Sequence, residues 1–267
     1  MRILALIFLL AICLNANAQK LSNIQQVSLR VPANVKIDGK ADEWGELKAY
    51  NKNTQVYYTV SNDLDNLYLI VDVADLTTIK KILAGGITFT LNQLNKNKDS
   101  TITAFTFPYY SDGQKPMSIS SDFSSEGKSE NKLRLDSFAK AYNRQMPGAL
   151  KLIGVRGLKD INDRFITIYN EENVKAAASF NKEMHYIYEL AVPLKLLGYK
   201  VGGNPNFNYN LQLNGQTTYN GYAITPVPGR SNLLTFTDNK GTRFMLDQDA
   251  KDLYYPTDFW GEYTLAK

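Results

Sequence analysis

What most constrains this chain is a recurring strand pattern: short runs rich in Val, Ile, Tyr, Phe and Thr, separated by polar turns. Gln55–Ser61 and Asn66–Val73 are two such runs, and the Asn62-Asp63-Leu64-Asp65 stretch between them has hairpin length. Ile87–Leu91 and Thr101–Phe107 alternate apolar and polar residues at period two, which turns one face of a strand inward. The polar stretch 92–100 joins them as a second hairpin. Further strands are predicted at Lys151–Val155, Arg164–Tyr169, Val174–Phe180, Met184–Val192, Phe207–Leu213 and Leu253–Leu265. Helical spacing occurs in two places only, Thr77–Ala84 and Lys128–Arg144. In the second, Leu135, Phe138 and Tyr142 share a face, and Pro147-Gly148 marks the expected end. Many short strands without alternating helices predict an all-β fold, an antiparallel β-sandwich of jelly-roll type, carrying a loop-plus-helix insertion at about 110–147.

The first eighteen residues read as an address. Met1-Arg2 gives a positive start, Ile3–Leu14 is almost wholly apolar, and Ala16-Asn17-Ala18 supplies small residues for cleavage before Gln19. The apolar run is too short for the roughly 20 residues a membrane helix needs, so export to the periplasm or beyond is expected, with no transmembrane segment in the mature chain. Cleavage would remove Cys13, the only cysteine, which leaves residues 19–267 as one sandwich without disulfides or thiol chemistry. The formal net charge of +4 over 267 residues gives no electrostatic footprint for nucleic acid. A single His, no Gly-x-Ser-x-Gly elbow and no phosphate-binding glycine loop leave no catalytic motif, and a non-catalytic protein is expected.

Val35-Lys-Ile-Asp-Gly-Lys-Ala-Asp-Glu-Trp44 resembles the opening landmark of carbohydrate-binding module family 9, a group of DOMON-like β-sandwiches. Asp65-Asn-Leu-Tyr-Leu69, Tyr186-Ile-Tyr-Glu-Leu-Ala-Val-Pro193 with Leu196-Leu-Gly198, Phe207–Asn214 and Tyr255–Leu265 resemble its later landmarks, in order. The resemblance implies a sugar held between aromatic rings and read by amide, Arg and carboxylate groups. On this sequence it points to Gln212 and Asn214 as amides, and to Tyr254 and Tyr255 near the place of a late stacking Trp. Other expected members are missing: Lys80-Lys81 and Gly85-Gly86 stand where an early Trp and acidic residues would be, and Thr106 and Pro108 where Arg and Asn would be. A carbohydrate is the expected partner. The alternative is a structural or interaction protein that binds another envelope protein and has lost the sugar site.

Other residues carry paired readings. Tyr109-Tyr110, leading into Ser111-Asp112-Gly113, fit a binding rim, and Tyr219 with Tyr222 form a second cluster of that kind. Trp44 and Trp260 are expected to pack rather than to stack on a ligand. Asp38-Gly39 and Asp42 read as turn chemistry. No cofactor is expected. Asp63 and Asp65 offer oxygens to a structural Ca²⁺, against an ordinary hairpin reading. Haem-binding relatives of the DOMON-like group make His185, with Met117 or Met184, an axial pair to weigh, although alternation sends Met184 to the opposite face.

Overall fold

A computed structural model describes residues 21–93, 102–120, 129–159, 161, 163–203, 206–219, 222–227, 230–245 and 251–267. The export signal expected at 1–18 lies outside the described residues. Two antiparallel sheets pack face to face. The first contains β1 (Ala49–Asn51), β2 (Val56–Asn62), β3 (Asn66–Val73), β8 (Lys175–Phe180) and β9 (Tyr186–Pro193), in the order β1-β2-β3-β9-β8. The second contains β4 (Ile87–Gln93), β5 (Ile102–Tyr109), β6 (Leu152–Arg156), β7 (Phe165–Thr167), β10 (Asn206–Leu213) and β15 (Thr257–Thr264). Its order is β15-β10-β4-β5-β6-β7.

Alternation builds the core. Leu67, Leu69, Val71 and Val73 on β3 and Tyr186, Tyr188, Leu190 and Val192 on β9 face inward. They meet Ile87, Phe89 and Leu91 of β4, Phe105 and Phe107 of β5, and Phe207, Tyr209, Leu211 and Leu213 of β10. Apolar faces of two sheets exclude water from each other, the arrangement the period-two pattern requires. The chain is therefore an all-β antiparallel sandwich.

The helices sit at the margins. α1 (Leu76–Gly85) starts at Asp75, whose side chain accepts from the Thr78 amide at 2.7 Å and so satisfies one otherwise unpaired N–H. α2 (Ser129–Ala149) carries the predicted Leu135, Phe138 and Tyr142 face onto the core, where Tyr142 lies 5.8 Å from Phe180. It runs past the predicted stop, with Pro147 inside its last turn. Buried Met146 and Leu150 there anchor it against the sandwich, which outweighs the proline signal.

Two further departures lie in the C-terminal third. The predicted strand from Leu253 opens instead with a helical turn, α3 (Lys251–Tyr254), and β15 begins only at Thr257. Pro256 removes an amide donor between them. A third sheet, unpredicted, is formed by β11 (Thr218–Tyr219), β12 (Tyr222–Val227), β13 (Arg230–Thr237) and β14 (Arg243–Met245). Among the described residues, no helix is long and apolar enough to cross a membrane.

Candidate functional site

The two outer faces of the sandwich differ in one respect: the first sheet's is covered. Residues 31–47 lie across it, with Val31, Val35, Ile37, Ala41 and Leu47 packed on Tyr68, Ile70, Ile187 and Ala191. Glu189 holds this cover down. Its Oε1 accepts from Trp44 Nε1 at 2.7 Å, and its Oε2 accepts from the amides of Gly39 (2.7 Å) and Asp38 (2.9 Å). Trp44 is 7% exposed, so it packs as expected. Gly39 has φ +81°, and a Cβ there would meet the Ala178 carbonyl carbon at 2.6 Å, so both the turn and the close approach require glycine. The Asp-Gly and Trp elements of the opening landmark thus act as a structural clasp. Burial pushes the Glu189 carboxyl up to about 7, against the pull of the three N–H donors.

The outer face of the second sheet carries an open cleft of about 370 Å³. Register explains its membership. Gln212 lies opposite Thr88, Thr88 opposite Thr106, Thr106 opposite Gly154, and Gly154 opposite Phe165, so one row crosses five strands. The neighbouring row brings Thr90 and Ala104 beside Arg156. Thr88, Thr90, Thr106, Tyr109, Arg156, Arg164 and Gln212 line the cleft together.

A shift in the β5–β6 register between Thr106 and Tyr109 brings the Tyr109 ring over β6. Its edge passes so close to Gly154 that a Cβ there would meet the ring at 2.6 Å. The same ring stacks on Phe165, centroids 5.6 Å apart and planes 26° apart. An aromatic wall results, half-exposed at Tyr109. Beneath it runs a polar chain. Asn214 Nδ2 donates to Gly85 O (2.9 Å) and Thr88 Oγ1 (2.8 Å), and the Thr88 and Thr106 hydroxyls are 2.8 Å apart. Because Thr88 accepts from Asn214, its own proton can pass to Thr106, which leaves the Thr106 proton for the cleft. Gln212 Nε2 donates to Asn214 Oδ1 at 2.7 Å, while its Oε1 makes no hydrogen bond among the described residues.

The six predicted ligand residues are therefore divided. Gln212 and Tyr109 line one cleft, and Asn214 fixes Gln212 and Thr88 from behind. Tyr110 points the other way: its hydroxyl donates to Leu83 O at 2.7 Å and accepts from the Met117 amide at 3.3 Å. Successive strand residues face opposite sides, so adjacent tyrosines could not both join the rim. Tyr254 is 9% exposed, and neither it nor Tyr255 lines the cleft. Tyr219 and Tyr222 pair through their backbones in the third sheet, and their side chains lie outside the described residues. Trp260 was expected to pack, yet it is 54% exposed. The strand's inward places belong to Phe259 and Tyr263, so alternation sends Trp260 to the outer face.

Lys81, at a position where the resemblance implies a sugar-binding group, is buried and donates to Thr257 Oγ1 at 3.1 Å. Burial lowers it to about 8, with Asp252 pulling the other way. His185 Nδ1 lies 2.9 Å from Asp72 Oδ1 on the outer side of the first sheet, whereas Met184 is buried in the core and Met117 packs against it. Asp63 has both oxygens engaged, Oδ1 by the Asp65 and Asn66 amides and Oδ2 by the Tyr68 hydroxyl. Burial raises its carboxyl, but these donors bring it below the usual range. Among the described residues no cluster of three His, Cys, Asp or Glu could hold a metal ion.

Phe165, Arg156, Arg164 and Thr88 were not singled out from sequence. Phe165, Arg156 and Arg164 join the site through strand pairing across the α2 insertion and Thr88 through the β4–β10 pairing, neither of which alternation alone fixes. No family model matches the chain, and no characterised protein matches it.

Proposed function

We propose that this protein is an exported, non-catalytic glycan-binding protein, and that the cleft on the outer face of its six-stranded sheet is the binding site. The observation that carries this reading is the convergence of Tyr109, Gln212 and Thr106 on one open cleft. An aromatic face suits the C–H face of a sugar ring, and fixed amide and hydroxyl groups suit its hydroxyls. The lining is made of hydroxyl, amide, guanidinium and ring groups, which suits binding; a glycosidase brings two carboxylates to its cleft. Export rests on residues 1–18, and mass spectrometry of the mature protein should find Gln19 at the N-terminus.

A glycan array followed by calorimetry tests the reading. Binding should be present in the parent and weakened about tenfold in Gln212→Ala, the loss of a buried amide contact or two. An array silent across all sugar classes would overturn it. The exposed Trp260 at the β15 edge favours the second reading, an envelope interaction protein. If that reading holds, Trp260→Ala should abolish capture of an envelope protein while Gln212→Ala leaves capture intact.

A further inference from the structure

Charge is distributed unevenly over the outer face of the second sheet. Asp258 and Glu262 lie on β15 at one margin, with Asp258 Oδ2 already accepting from Asn210 Nδ2 at 2.6 Å. Across the three intervening strands, Arg156 and Arg164 enter the cleft from the β6–β7 side, and among the described residues no carboxylate lines it. Both arginines are exposed, and neither forms an ion pair among the described residues, adjacent Asp163 included. Tyr109 stands in the same lining, so a ring stacked there would have its substituents within the reach of two guanidinium groups. Guanidinium presents paired N–H donors in a plane, a match for the oxygens of a carboxylate or sulfate. The acidic β15 margin would repel the same anion, which fixes the direction in which a charged sugar could lie.

We propose that the cleft selects an anionic sugar, its carboxylate or sulfate held by Arg156 and Arg164 while its ring lies on Tyr109 and its hydroxyls meet Gln212 and Thr106. This rests on the glycan reading and deepens it. The charge comes from the strand pair that follows the α2 insertion.

Calorimetry with three probes tests it: an oligogalacturonide, the same oligomer with its carboxylates methyl-esterified, and a sulfated galactan oligomer. At least one charged probe should bind about tenfold or more tightly than the esterified one, with the advantage shrinking as salt is added. Preference for the first or third probe distinguishes carboxylate from sulfate. The Arg156→Ala/Arg164→Ala double variant should lose the advantage, so that charged and esterified oligomers bind it equally. Both side chains are exposed, so its thermal melt should match the parent's. Equal affinity for charged and esterified probes, or a preference that survives the double variant, overturns the anionic assignment and leaves the glycan reading standing. No binding of any of the three probes overturns the anionic assignment, and only an array silent across all sugar classes overturns the glycan reading with it.

Discussion

At the scale of single residues, Glu189 has the sharpest physical signature. It is a carboxylate removed from water, held by three N–H donors, and placed under the segment that packs on the outer side of β3 and β9. Burial raises its carboxyl from 4.5 to about 7 in the folded protein. Between those values the folded chain keeps a proton that the unfolded chain has released, so stability falls as pH climbs through that window. His185 acts in the same sense: its bond to Asp72 raises it above 6.5, so its contribution is full below that pH and lost as pH rises through the folded value. Urea unfolding should therefore show a lower midpoint at pH 8 than at pH 5. Glu189→Gln should flatten that slope while lowering stability by about 1–3 kcal/mol at pH 8, since a buried hydrogen-bond set is broken. A Glu189→Gln slope as steep as the parent's would place the titration elsewhere.

At the scale of elements, the site is a property of strand register. Gly154 on β6 shows this: it is glycine because the Tyr109 ring of β5 lies across it. Gly154→Ala adds one methyl group on an outer face and should leave the melting temperature within a few degrees of the parent's, because the core side of β6 is untouched. It should nevertheless displace the Tyr109–Phe165 stack and weaken glycan binding nearly as much as Tyr109→Ala. Calorimetry on both variants checks this, and full affinity in Gly154→Ala would remove the aromatic wall from the site. Asn214→Ala should also weaken binding from outside the cleft, by releasing Gln212 and Thr88; titration of the variant with the parent's ligand reads it directly. The same scale decides how much was legible beforehand. The alternating runs placed β2, β3, β4 and β10 within a residue or two, because one buried face leaves a strong imprint. Gln212 could be singled out from its landmark strand. Arg156 and Arg164 could not, since nothing in their own segments says that β6 returns beside β5 after a long insertion. The third sheet is not legible because Pro226 inside β12 and the Leu233-Leu234 pair inside β13 break the period-two pattern. Trp260 departs from the core expectation because Phe259 and Tyr263 fill the inward places of β15 and alternation leaves position 260 on the outer face.

At the scale of the whole molecule, the two sheets are joined by polar links as well as by apolar burial. The Tyr58 and Tyr209 hydroxyls meet at 3.0 Å in the core, and the Gln25 amide donates to Tyr58 at 2.9 Å. The Gln25 side chain meanwhile bonds both the amide and the carbonyl of Val60, at 2.8 Å each. The Tyr263 hydroxyl of the second sheet bonds Leu29 and Asn62 in the same way. Tyr58→Phe should therefore cost about 1–3 kcal/mol, the penalty of leaving buried partners unsatisfied. Differential scanning calorimetry should still show one cooperative transition, and glycan affinity should stay unchanged, because Tyr58 faces the core between the sheets and the cleft lies on the outside. A second, separate transition would mean that the sheets unfold independently.

The strands that form the cleft divide their work by parity. On β4, Thr88 and Thr90 face the cleft while Ile87, Phe89 and Leu91 fill the interior; on β10, Gln212 sits between Leu211 and Leu213. Drift at the outward positions can therefore proceed without disturbing the interior, and the inward ones can stay fixed. A lineage built on this scaffold could exchange one ligand for another through a few outward substitutions, its architecture outlasting its specificity. For the protein engineer, the same parity marks out a randomisation surface: libraries at 88, 90, 106 and 212 should yield mostly folded members with altered tastes.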